Sequence, residues 1–141
     1  MGYDMYCAVE AFDKKTKRWE CFSVSHGERI SPLFAKIADI CNSEDEDTYI
    51  EPIAANRGLP SEITGPAEAW YDYVDFCCSA TWLDRTELIT LNKWTLEHLN
   101  EDLWSLLGLR HLTCFFDFKN GWNKAAFTRY SNLRVLFFFN R

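Results

Sequence analysis

A lone arginine in a rigid corner is the first feature of this sequence that could do chemistry. Arg57 stands in the stretch Ala55-Asn56-Arg57-Gly58-Leu59-Pro60-Ser61-Glu62-Ile63, just after a run of acids. Gly58 allows a positive φ, and Pro60 pushes Leu59 toward extended backbone, so the stretch predicts a tight turn. A guanidinium fixed on such a corner suits bidentate contact with a phosphate or carboxylate. The same arginine can instead clamp its own loop to a nearby acid, and the density of acids favours the clamp. Trp70, Tyr71 and Tyr73 follow a Gly-Pro break and lie among acids. They are the aromatic set expected at the surface, able to stack a base or line a partner. Glu44, Asp45, Glu46 and Asp47 form a consecutive acidic run. Asp72 and Asp75 could act as an acid–base pair, although a solvent-facing position accounts for them more simply.

Other chemistries find less support. His111-Leu112-Thr113 has the H-x-T form of some phosphodiesterases, but that chemistry uses two such motifs and the chain has one. The sequence contains no Walker loop, no G-x-G-x-x-G and no G-x-S-x-G, so nothing marks a phosphate cradle or a nucleophile elbow. No catalytic residue is assigned. The six cysteines include the neighbours Cys77 and Cys78 but no C-x-x-C, so neither a metal site nor a disulfide framework is expected. They are read as reduced thiols, and no cofactor is implied.

Charge narrows the partners. The net charge is −6, and residues 1–75 carry 15 acids against 7 bases, a balance of −8, while residues 76–141 stand at +2. Direct nucleic-acid binding needs a basic patch and is not expected. An acidic half suits a partner with a basic surface, including an enzyme that itself binds nucleic acid. No stretch reaches the roughly 18 apolar residues of a membrane span, and the opening residues read as no signal peptide.

The elements that must position these residues follow from pattern. With 141 residues, the chain fits one domain, 1–141. Residues 3–12 and 18–24 read as a hairpin across DKKTK. Ser31-Pro32 opens an amphipathic helix over 32–42, with Ser31 as the cap and Asn42 as the stop. TYIEPI (48–53) is at most a short extended piece. A short helix is expected over 66–73 and a strand over 76–82. Asp84 and Glu87 form a capping box for a helix from 85 to about 91. Another helix should follow Asn100 and end near Gly108. The apolar runs 111–118 and 132–140 predict two buried strands, with Asn120-Gly121 as a turn. The class is α+β: a single domain whose antiparallel sheet takes both the N-terminal hairpin and the C-terminal strands, with helices packed on one face.

Several stretches in order carry a resemblance. They are Tyr3-Asp4, Glu10 with Trp19, Leu33-Phe34-Ala35 with Ala38, Arg57-Gly58-Leu59-Pro60, Ser79 with Trp82-Leu83, and Arg134 with Phe137, Phe139 and Asn140. Together they resemble an uncharacterised family of small proteins encoded by bacteriophages and prophages. The chain departs from the pattern at Cys77-Cys78, where the family often has His, and at Cys41-Asn42, where it often has Arg-Asn. A catalytic use of that His would not transfer.

The resemblance implies phage origin and action in the host bacterial cytoplasm. It brings no active site. By analogy of context, the expected function is inhibition of a bacterial defence system by binding a defence protein, an anti-CRISPR being the favoured form. The alternative is a sponge that sequesters a nucleotide second messenger, using Arg57 and the aromatic set, possible as a homo-oligomer. An enzyme degrading such a signal ranks last.

Overall fold

The computed structural model describes residues 2–74 and 77–141, with the backbone alone for Cys77 and Cys78. Its α+β architecture rests on a four-stranded antiparallel sheet. β1 (Asp4–Asp13) and β2 (Arg18–His26) form the expected hairpin, and β6 (Tyr130–Asn140) pairs with the other side of β1. β3 (Cys77–Asp84) completes the order β2-β1-β6-β3. The chain ends therefore meet at the centre, where β1 and β6 lie side by side and are almost wholly buried. Their apolar runs do not alternate because both faces of the sheet are covered.

The larger core lies on one face. Met5, Cys7 and Val9 of β1 and Val135, Phe137 and Phe139 of β6 pack there against α1 (Ser31–Ala38), α3 (Arg85–His98) and α4 (Leu103–Leu106). Phe34 of α1 meets Phe139 edge-on at 5.3 Å. The expectation of helices on one face describes these three. The opposite face is covered too, by α2 (Gly65–Tyr73), whose Ala67, Trp70 and Tyr71 pack on Ala8, Leu136 and Phe138. Period-two alternation alone cannot show this, since a strand buried on both sides reads as continuous apolar sequence.

Several local expectations shift by physical causes that the structure makes plain. The first helix stops at Ala38 because Asp39 turns left-handed, at φ 58°, its N–H closing onto the Ala35 carbonyl and that of Ile40 onto the Phe34 carbonyl. Ser31 lies inside that helix rather than capping it. Asn42 does not stop the helix; its side chain bridges Asp39 and the carbonyl of Ile50. The Asp84–Glu87 capping box is present, and its helix runs on to His98.

The largest correction concerns residues 111–118. They form a 3-10 turn over Arg110–Cys114 and a two-residue strand, β4 (Phe116–Asp117), paired with β5 (Gly121–Trp122). In that run Leu112 and Phe116 are the buried residues. Their spacing of four is that of a helical turn, and Phe115 between them stays outside. α5 (Lys124–Arg129) follows, opened by Asn123, whose side chain accepts the Ala126 N–H at 2.7 Å. Among the described residues no helix is long and apolar enough to cross a membrane.

Candidate functional site

Arg57 is held from several sides. Its guanidinium makes a bidentate pair with Glu87, the residue that also closes the α3 capping box. Its Nη1 donates to the Trp82 carbonyl at 3.0 Å, and the guanidinium carbon lies 4.6 Å from the centre of the Trp82 ring. The Arg57 backbone N–H donates to Thr81 Oγ1 at 3.0 Å. These contacts lay the 56–57 segment along β3, an edge strand of the sheet, and cover that edge. Gly58 takes the positive φ the turn requires, 72°. Burial pushes the Glu87 carboxyl up, but the hydrogen bonds from Arg57 and Asp84 outweigh it and hold it below the usual carboxylate range. The hydrogen bonds that Arg57 donates to Glu87 raise it above the ordinary arginine value.

The same loop has a second anchor that sequence reasoning did not identify as such. Glu10 is fully buried and pairs with Arg134, which is also buried, at 2.6 Å. Glu10 also accepts the Thr64 N–H, and Arg134 donates to the Glu62 carbonyl. Trp19 covers the guanidinium, its ring centre 3.7 Å away. Both Glu10 oxygens and two of the Arg134 nitrogens thus have hydrogen-bond partners, which a buried pair needs if it is not to destabilise the fold.

The aromatic set does not gather around Arg57. Trp70 and Tyr71 are half-buried on the sheet, with the Trp70 indole N–H donating to the Ser25 carbonyl at 3.2 Å. Tyr71 meets Phe138 edge-on. Tyr73 is 68% exposed and stacks flat on Trp70 at 5.1 Å. The acids 44–47 are all exposed. Their turn is fixed by its own polar groups: the Asn42 side-chain oxygen accepts the N–H of Ser43 and of Ile50, and Asp45 accepts the N–H of Asp47. Tyr49, 43% exposed, stands at the end of the turn. Asp72 is exposed, while Asp75 lies outside the described residues.

A cleft of about 430 Å³ lies elsewhere, between β2, the 3-10 turn and α5. Phe22, Phe115 and Tyr130 form its aromatic wall, with Glu20, His111 and Arg129 among its ionisable groups. A bulge makes this possible. The β1–β2 register shifts between Val9 and Glu10, leaving Phe22 as the extra residue. The shift turns Phe22 toward Tyr130, 4.9 Å away and edge-on. Asn123 joins the other two walls, since its N–H donates to the Phe115 carbonyl and its Nδ2 to the Cys114 carbonyl.

The polar groups of the cleft are linked. The Tyr130 hydroxyl donates to Glu20 Oε2 at 2.9 Å. Arg129 Nε donates to Asp13 Oδ2 at 2.9 Å, and Nη2 lies 3.7 Å from Glu20 Oε2. Burial, followed by the Glu20 carboxylate, pushes the Tyr130 hydroxyl up to about 12. His111 Nε2 sits 3.3 Å from Ser23 Oγ. Of this group the sequence marks His111 alone, through its H-x-T form. The findable signal was Asn123, a good helix cap three residues before Ala126, which would have marked α5 and the Arg129-Tyr130 pair at its end.

No family model matches the chain, and no curated protein or solved structure matches it.

Proposed function

We propose that this chain is a phage-encoded accessory protein that inhibits a bacterial defence system by binding one of its proteins in the host cytoplasm. The favoured form is an anti-CRISPR that occupies a basic, nucleic-acid-binding surface of an effector. One observation carries the reading: the acids 44–47 are fully presented on a turn held by its own hydrogen bonds, with exposed Tyr49 at its end. Charge that is already fixed in place needs little ordering when it docks. Negative charge facing a basic surface steers encounter and selects the partner. The phage setting rests on the order of the sequence motifs.

The nucleotide-sponge alternative needs a cation free to meet a phosphate. Arg57 is engaged by Glu87 and by Trp82, and the α2 aromatics pack on the sheet and on one another. This geometry favours the protein partner. The test is capture with the tagged chain from an infected host, with mass spectrometry of bound proteins and small molecules. A host protein that co-purifies and is released by salt supports inhibition by binding. A nucleotide retained with no protein partner would overturn it.

A further inference from the structure

The cleft between β2, the 3-10 turn and α5 has a chemistry that the acidic turn does not explain. Its lining is mainly apolar, supplied by Phe22, Leu112, Phe115, Ala126 and Tyr130. Phe115 is 43% exposed although it meets Phe22 edge-on at 5.7 Å. Behind this wall Trp122 stacks on Tyr130 at 5.6 Å, with its indole N–H buried and lacking an acceptor among the described residues. Being a donor, that N–H does not pair with a cation; its place behind the wall makes it a reporter of what enters the cleft.

Charge decides what the cleft can take. Glu20 and Arg129 are the charged residues of its lining. Arg129 is already matched, because its Nε is held by Asp13. Glu20 has one oxygen on the Tyr130 hydroxyl, and among the described residues no hydrogen bond reaches its Oε1. The nearby Lys14 is turned to α5, where it donates to the Phe127 carbonyl. An anion entering here would face the Glu20 carboxylate beside a guanidinium that Asp13 and Glu20 already hold. A cation would find an open carboxylate oxygen and the rings of Phe22 and Phe115, the Tyr130 ring already having the Arg129 guanidinium 5.5 Å from its centre; carboxylate and aromatic rings together are the combination that binds organic cations.

The geometry points to a socket for an arginine side chain of a partner protein. A guanidinium is planar and weakly hydrated, stacks on aromatic rings, and presents a fork that fits a carboxylate. An ammonium lacks the plane and gives up its water less readily. The partner as the source of this side chain rests on the protein-binding reading above, and the chemistry rests on the cleft alone. A surface that binds nucleic acid carries such arginines.

The test is a titration of the ¹⁵N-labelled full chain, reading the Trp122 indole N–H. The probes are N-acetyl-arginine methylamide, its citrulline analogue, putrescine and ADP. The arginine probe should give a saturable shift. The neutral citrulline probe should bind about tenfold more weakly, in line with loss of a charge-assisted hydrogen bond. Glu20→Gln should lose the same factor. Phe115→Ala should also weaken the arginine probe, and the exposed control Glu97→Gln should not. Both test positions are at the surface, and dispersed spectra of the variants show that they fold. Equal binding of citrulline or putrescine, tighter binding of ADP, full binding by Glu20→Gln, or no saturable shift would each overturn the assignment. No partner is present in this titration, so its failure leaves the acidic-turn reading standing, and a failed capture leaves the titration valid.

Discussion

At the scale of single residues, Arg57 separates the clamp from the grip. Its bond to Glu87 also steadies the residue that caps α3, so one side chain ties the 56–57 segment, β3 and a helix start together. Arg57→Ala should lower stability by about 2 kcal/mol, the scale of a hydrogen bond to a charged group. Chemical denaturation measures this, and an unchanged midpoint would remove the clamp. Two acids of the interior contribute to the alkaline limit. Burial pushes the Cys7 thiol from 9.0 up to about 12, and burial with Glu20 pushes Tyr130 from 10.0 to about 12. Both pKa values are raised in the fold, so their contribution is complete below the unfolded values and disappears as pH rises through the folded ones. The melting temperature should therefore fall between about pH 9 and 12, and less steeply for Tyr130→Phe or Cys7→Ala. An identical alkaline slope in the double variant would assign the loss to other groups. Neither acid was legible as a titrating residue in the sequence. Cys7 and Tyr130 become unusual only when the sheet and α5 close over them.

At the scale of elements, turns carry two further expectations. Gly58 and Gly108 both have positive φ, 72° and 73°. A Cβ on Gly58 would meet nothing within 4 Å, whereas one on Gly108 would stand 3.1 Å from the His26 carbonyl oxygen. Gly58→Ala should cost about 1 kcal/mol for its backbone alone. Gly108→Ala carries the same term and a clash with backbone besides, so its loss should be larger; equal losses in urea melts would contradict this. The acidic turn belongs to the same scale. Replacing residues 44–47 by Ser should leave melting unchanged, because the turn is held mainly by Asn42 and a Ser at 45 can still accept from the chain. Association with the captured partner should slow, and its salt dependence should flatten. An unchanged on-rate would take the turn out of the interface. Element types were readable wherever a local cause exists. The hairpin, the α3 capping box and the turn at Gly58 each depend on a few neighbouring residues. The run 111–118 misled because apolar density does not say whether side chains are buried two apart or four apart.

At the scale of the whole molecule, the chain ends define the fold. β1 and β6 pair along nearly their full lengths, and each is buried on both faces. Composition and pattern by themselves determined the class, the aromatic core and the sheet built from both ends, since these follow from hydrophobic burial and periodicity along the chain. The same reading determined the uneven charge that bears on partners. Tertiary structure alone decided which residues meet. It put Glu10 on Arg134 across 124 positions and Arg57 on Glu87 across 30. It placed α2 on the second face, and it brought β2, the 3-10 turn and α5 together around Glu20, Phe22, Phe115 and Tyr130. A cleft is made by long-range packing, and here by a one-residue bulge that re-aims Phe22. Neither leaves a local pattern in the sequence, because the free energy that selects them is shared among residues far apart along the chain.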